Sequence, residues 1–383
     1  MKILFVTRGF PSDKDPMSGN YEAVQAKAIA AKGHQVSVIA IRWKSIRRLF
    51  SWSKISHRVV DGVDIYESTR ICISRRFNFL YGLDRFLRAR EYKRIFKRYL
   101  KEKGLPDIVH AHIVFVADSV LFVKKDYHLP FIITEHWSQT FKTDVTDWVK
   151  TQSLIYHHAN RVISVSQALA DSLKESFQTE SIVINNMVSD LFFNSTLVER
   201  HDNVFKFVAV GAFRSDRLKG FDVLVNAFAQ AHFPENISLE IIGDGPDRSF
   251  IENKIEQHSL KNQVKLLGVK TPEEVSALLC NSNCFVLSSR LETFSIVLIE
   301  AMAKGLPVIA TKCGGPETFV RPQDGILVEK ENVEELSKGM RYMTKHSQEY
   351  DAKEIRRHCR ENFSQHVIAD KIINVYKQVL TQN

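Results

Sequence analysis

The sequence has no apolar run approaching the roughly 20 residues of a membrane-crossing helix, which excludes that kind of integral membrane protein. Cysteine is scarce. Cys72, Cys280, Cys284, Cys313 and Cys359 make five, an odd and scattered set. Cys280 and Cys284 have no nearby histidine or cysteine pair to complete a zinc set, so neither a zinc module nor a disulfide scaffold is expected. Small buried thiols in a reducing compartment fit better. The three-glycine dinucleotide fingerprint is missing as well, so a nicotinamide cofactor is not expected. With 16 Gly and 10 Pro in 383 residues, collagen-like and disordered classes are excluded. The opening MKILFVTRGF has an apolar stretch too short for a signal-peptide core and reads as a first strand. A soluble cytoplasmic protein is the expectation.

What is present is a globular balance, 44% hydrophobic and 25% charged, in a chain longer than one compact core usually supports. Two domains are therefore expected. The formal charge of +9 is uneven: residues 40–103 hold eighteen Lys/Arg against six Asp/Glu, so the rest of the chain is slightly acidic. A local cationic field of that size favours anionic partners. Arg42 to Arg58, with Trp43, Phe50 and Trp52 among the bases, suits either a membrane interface or a helix packed on the sheet. From Leu83 to Lys103 the stripe Phe86, Ala89, Tyr92, Ile95, Phe96, Tyr99 and Leu100 predicts an amphipathic helix with that face in the core.

The pattern of the first half is strand, loop, helix, strand. Lys2–Thr7 leads into a Pro- and Gly-bearing loop, a helix over 21–32, and a strand from Gln35. Further strands are expected at residues 108–110, 131–133, 162–165 and 182–184. Residues 185–203 read as a linker. A second α/β pattern begins at Phe205. Its most informative stretch is FVLSSRLETFSIVLIEAMAKGLPVIAT, residues 285–311, a strand, loop, helix, strand unit with Glu292 in the loop and Glu300 in the helix. Loops at the carboxyl ends of parallel strands bind ligands, and the free amides of a helix start favour an anion. Two carboxylates thus flank a phosphate seat.

The segment ETFSIVLIEAMAKGLPVIAT resembles the signature of the family 4 (group 1) retaining glycosyltransferases. VGAFRSDRLKGFDVLVNAF, IIGDGP, VKLLG, the Gly314-Gly315-Pro316-Glu317 loop and the HAH and TEHW stretches follow in the family's order. The resemblance implies a GT-B fold: two Rossmann-like parallel-sheet domains facing a cleft. They would span 1–190 (acceptor) and 191–365 (nucleotide sugar), with a C-terminal helix, 366–383, crossing back to the first. It implies transfer from a nucleotide-diphosphate sugar, UDP-sugar first and GDP-sugar next, to a glycan or lipid-linked acceptor in cell-surface polysaccharide synthesis.

By the same resemblance Glu300 binds the ribose diol, a task that suits an acceptor-only carboxylate. Glu292 contacts sugar hydroxyls. Arg214 and Lys219 grip the diphosphate, with Arg217 a substitute for Arg214, and His136 orients the donor sugar. Gly19, Gly243, Gly245, Phe294, Ser295 and Ile296 complete the donor site. The family pattern Glu-Gly-Phe-Gly is here Glu292-Thr293-Phe294-Ser295, so side chains crowd two positions where the family has none. The single Asp-x-Asp triplet, Asp13-Lys14-Asp15, lies in a Pro-rich loop and is read as solvated, so no metal and no cofactor is expected. Residues 40–103 suit electrostatic contact with an anionic membrane at the cytosolic face. A sugar-nucleotide epimerase or a phosphorylase on the same plan is the alternative. A basic nucleic-acid-binding protein is a distant one, since no nucleic-acid module is present.

Overall fold

The computed structural model describes residues 1–12, 15, 18–44, 54–71, 81–136, 146–194 and 204–382. Two compact units divide the chain. One is Met1–Asn185 with Gln365–Asn383, the other Asn186–Ser364.

The first unit runs β1 (Lys2–Thr7), α1 (Asn20–Ala31), β2 (Gln35–Lys44), β3 (Ser56–Val60), β4 (Val63–Ile71), α2 (Tyr81–Lys103), β5 (Ile108–His112), α3 (Val114–Ala117), α4 (Phe122–Tyr127), β6 (Phe131–Glu135), α5 (Thr146–His158), β7 (Arg161–Ser164), α6 (Gln167–Phe177) and β8 (Ile182–Val183). The strands form one eight-stranded sheet in the order β3-β4-β2-β1-β5-β6-β7-β8. All neighbours are parallel except β3 and β4. β5 and β6 are buried along their whole length, as expected of strands covered on both faces.

The β3–β4 hairpin is absent from the strands expected above, although Asp61-Gly62 is a strong turn signal. Both residues have positive φ, 49° and 78°, between the paired Val60 and Val63. Neither end of Arg42–Arg58 is helical. Arg42–Lys44 continues β2 alongside β4, Ser56–Arg58 belongs to β3, and residues 45–53 lie outside the described ones. In α2, Tyr92, Ile95, Phe96 and Tyr99 are buried as expected, but Phe86 is 62% exposed and Arg88 is buried.

The second unit runs β9 (Phe205–Val210), α7 (Phe221–Ala231), β10 (Ile237–Ile242), α8 (Arg248–Gln257), β11 (Val264–Leu266), α9 (Pro272–Cys280), β12 (Cys284–Leu287), α10 (Ile296–Ala303), β13 (Val308–Lys312), β14 (Gly325–Glu329), α11 (Val333–His346) and α12 (Ala352–Phe363). Its all-parallel sheet has the order β11-β10-β9-β12-β13-β14. This is the doubly wound order in which the first strand lies between the second and the fourth, so the loops after β9 and β12 diverge at the switch point where such sheets bind nucleotides. Phe207, Leu224, Phe228, Leu239 and Val286 lie in its core.

The boundary expected at residue 190 lies at Asn185, because the polar stretch after it is not a free linker. Val188 donates its amide to Phe363 and pairs with Ser364, which ties the stretch to the second unit. The C-terminal segment is two helices rather than one, interrupted at Ser364. The second, α13 (Gln365–Thr381), belongs to the first unit. There Tyr376 is fully buried, its hydroxyl 2.7 Å from His110 Nδ1.

Candidate active site

The second-unit site is built by three loops that glycines allow to touch. Gly220, at φ 61°, precedes α7, and a Cβ there would lie 2.0 Å from the Ser288 carbonyl oxygen. Only glycine lets the loop after β9 close on the end of β12. Ser288 Oγ then donates to the Lys219 carbonyl at 3.0 Å, and Arg290 N to the Leu218 carbonyl at 2.8 Å. The result delivers Lys219 Nζ to Glu292 Oε1 at 2.7 Å, where Ser289 Oγ also donates at 2.7 Å. Glu292 is itself fixed, since its amide donates to the Cys313 carbonyl at 2.9 Å. The pair is three-quarters or more buried, side-chain exposures being 25% and 10%.

Arg290 was read only as part of a loop, yet it braces the site. Its guanidinium forks onto Asp222 with two bonds of 2.9 Å and donates to the Arg217 carbonyl at 2.6 Å. Burial alone would raise the Asp222 carboxyl, but the Arg290 guanidinium outweighs it and holds the group below its usual range. No local pattern marks this pair, whose members are 68 residues apart.

The two arginines proposed for the diphosphate differ in tethering. Arg214 is half-exposed and bound to Asp216 at 2.5 Å. Arg217 adopts φ 53°, lies over the Phe250 ring at 3.5 Å and reaches Asp247 at 3.2 Å. Both line one recess with Lys219 and the start of α7.

α10 follows the Glu292 loop. Its residue before the first turn, Ser295, has φ 79° and makes no capping hydrogen bond, so its hydroxyl does not occupy the first-turn amides. That hydroxyl is buried and has no hydrogen-bond partner. Glu300 is the one polar residue of α10 and has no hydrogen bond or ion pair with any described residue. The carboxylate is walled by apolar neighbours, although the residue still reaches solvent on one side. Desolvation pushes its pKa up to about 8. Such a group gains from any donor pair placed beside it.

Other expected donor contacts act as framework. The Phe294 side chain is fully buried, 4.9 Å from the Phe319 ring and 5.6 Å from Phe363, so it anchors the loop rather than facing a ligand. Ile296 begins α10 and is partly buried. Gly243 and Gly245 are needed for loop packing: Cβ atoms there would lie 1.9 Å from the Gly211 oxygen and 2.3 Å from the Phe213 oxygen. Gly19 plays that part in the first unit, with a Cβ 2.1 Å from the Gly9 oxygen. Asp13 and Lys14 lie outside the described residues. Among the described residues no group of three or more His, Cys, Asp or Glu could hold a metal ion.

In the first unit, register gathers a histidine row. Phe5 pairs with His110, and His112 with Thr134, so alternation along β1, β5 and β6 puts Phe5, His110, His112, Thr134 and His136 on one face. His110 Nε2 is 2.7 Å from Thr134 Oγ1, and His112 Nδ1 is 3.1 Å from His136 Nε2. Burial pushes His110 down to about 3 and His112 well below its ordinary value. Glu135 points to the other face. It accepts from the His136 amide at 2.9 Å, the Val114 amide at 2.9 Å and the Tyr156 hydroxyl at 2.8 Å, which makes it a brace for His136.

Two doubly wound parallel-sheet units, one with paired cations and carboxylates at its switch point, have the architecture of a GT-B glycosyltransferase. Residues 197–366 match the model of glycosyl transferases group 1 and residues 20–190 that of glycosyltransferase family 4. The chain belongs to this family. It is 29% identical over 248 residues to an uncharacterized glycosyltransferase of Methanocaldococcus jannaschii, covering 63% of this chain and 66% of that one. It is also 29% identical over 254 residues to a human phosphatidylinositol N-acetylglucosaminyltransferase, covering 63% of this chain and 51% of the relative. These matches span about half to just under two thirds of the relatives' own length. Among solved structures, Anabaena HepE in complex with UDP superposes with a TM-score of 0.74 at 17% identity, over 99% of this chain and 100% of that one.

Proposed function

We propose that the protein is a retaining, metal-independent glycosyltransferase that moves a sugar from a nucleotide-diphosphate sugar, a UDP-sugar before a GDP-sugar, to a glycan or lipid-linked acceptor in cell-surface polysaccharide synthesis. The observation that carries this is the unpaired Glu300 carboxylate on the helix that follows the Lys219–Glu292 pair. A ribose diol supplies the two donors that Glu300 lacks. Departure of the nucleoside diphosphate concentrates negative charge at the phosphate. Lys219, with Arg214 or Arg217, and the uncapped amides of α10 supply fixed compensation for it, on a scale of about 3 kcal/mol each. The Lys219–Glu292 bond also holds Glu292 in place for sugar hydroxyls. In the first unit His136 orients the transferring sugar. With no enzyme nucleophile invoked, the acceptor hydroxyl attacks from the face the diphosphate leaves, and a phosphate oxygen takes its proton. The product of an α-linked donor is then α-linked, which an anomeric NMR spectrum reads.

The relatives support the donor and acceptor classes: HepE is solved with UDP, and the human relative is named for transfer to phosphatidylinositol. Calorimetry against UDP, GDP and ADP tests the reading. UDP is expected to bind, and Glu300→Gln to weaken it about tenfold or more. The pH dependence follows from the raised pKa. In the free protein Glu300 gains its charge only as pH rises through about 8. The charged form is the better ribose acceptor, so UDP affinity should rise from about pH 7 to 9 with proton release. A Glu300→Gln variant with the native affinity and the native pH slope removes the ribose assignment.

A further inference from the structure

We propose that His112 is a positioning residue that fixes the tautomer of His136, so that His136 serves as a neutral hydrogen-bond donor through Nδ1 and not as a proton acceptor through Nε2. The two rings lie 11° from parallel planes with centroids 5.4 Å apart, and the His112 Nδ1 to His136 Nε2 distance is 3.1 Å. One of these nitrogens must carry the shared hydrogen. His112 is 1% exposed, and its Nε2 is buried with no hydrogen-bond partner. Desolvation, reinforced by His110 and His136, keeps its ring neutral, so it holds one proton.

The position of that proton follows from what each choice strands. On Nε2 it would be a buried N–H without an acceptor, the rarer and costlier orphan. On Nδ1 it donates to His136, and only a lone pair is left unmatched. His110 offers no competing partner, since its nitrogens are engaged by the Tyr376 and Thr134 hydroxyls at 2.7 Å each. With Nε2 accepting, a neutral His136 carries its proton on Nδ1. Protonating Nε2 as well would set two N–H groups against each other. The Glu135 bond to the His136 amide holds the main chain while this happens. The tautomer stands on geometry alone, and its consequence for catalysis rests on the function proposed above.

Long-range nitrogen–proton NMR of the full chain labelled at histidine tests it directly, with His136 signals assigned by their loss in His136→Asn. The expected native spectrum has both His112 and His136 protonated on Nδ1. A His136 protonated on Nε2 overturns the proposal without any further variant. His112→Phe keeps a ring but has no N–H, and should release His136 into mixed tautomers. Its kcat should fall about tenfold with donor KM within about twofold. His112→Asn places an amide N–H close to where Nδ1 lies, and should restore both the tautomer and kcat to within about threefold. An unchanged His136 tautomer in His112→Phe overturns the proposal. If the tautomer shifts and kcat does not, the role of His112 stands and the assignment of His136 to catalysis falls.

Discussion

At the residue scale, Ser295 is the position where this chain departs most from what its backbone favours. A side chain at φ 79° is strained, and its hydroxyl is buried without a partner. Strain there is worth about 1–2 kcal/mol and an unmatched buried hydroxyl about 1–3 kcal/mol. Glycine would remove both and add about 0.5–1 kcal/mol of unfolded-state entropy. The first two effects win. Ser295→Gly should therefore stabilise the second unit by about 1 kcal/mol or more, seen as a higher urea midpoint at unchanged slope. A lower midpoint would mean that the hydroxyl has a partner in the folded protein. Crowding at this position bears on which sugar fits. It leaves the carboxylates and cations of the reaction in place.

At the element scale, Asp324 joins the approach to β14 to α12. It is fully buried, accepts from the Arg321 amide and guanidinium at 2.9–3.0 Å, and lies 2.9 Å from His358 Nδ1. Burial alone would raise its carboxyl. The His358 and Arg321 hydrogen bonds outweigh that and hold it at about 2 against an ordinary 3.8. Because the folded value lies below the unfolded one, its contribution of about 2 kcal/mol is complete above about pH 4 and is lost as pH falls toward 2. Asp324→Asn should lower stability at pH 7 by about that amount and flatten the acid limb between about pH 4 and 2. An acid limb identical to the native one would assign the acid sensitivity to other carboxylates. Elements of this kind were largely legible in the sequence, because apolar runs and Gly/Pro stops act locally. α9 is an example, opened by Thr271 and Glu274 in a reciprocal cap with Pro272 at its first position. The β3–β4 hairpin was obscured by aromatic and basic residues that fit several environments. The site was legible only as separate positions. Lys219 meets Glu292 across 73 residues, and His112 meets His136 across 24, through sheet register that no short pattern encodes.

At the scale of the whole molecule, charge is distributed to one side of the function. The basic excess of residues 40–103 is partly spent within the fold, where Arg42 pairs with Glu67, Arg70 and Arg94 with Glu91, and Lys103 with Asp64. What α2 presents outward is a single stripe. Arg90, Lys97 and Lys101 are exposed at helical spacings of seven and four. Leu83 and Phe86 lead into the same face, 48% and 62% exposed. Among the described residues no helix is long and apolar enough to cross a membrane, so any membrane contact in the described part must be made by a surface of this sort. Basic residues behind exposed apolar ones suit the headgroup region of an anionic bilayer, each base contributing about 1 kcal/mol near the surface. The protein should therefore co-sediment with vesicles containing anionic lipid at low salt. Binding should fall as salt shortens the screening length. Reversing Arg90, Lys97 and Lys101 to glutamate removes about 3 kcal/mol or more, a drop of at least a hundredfold in partitioning. UDP affinity in solution should stay unchanged, because none of the three belongs to the donor site. Equal co-sedimentation with neutral and anionic vesicles would show that charge is not what holds the protein there. The acceptor would then be sought among soluble glycans.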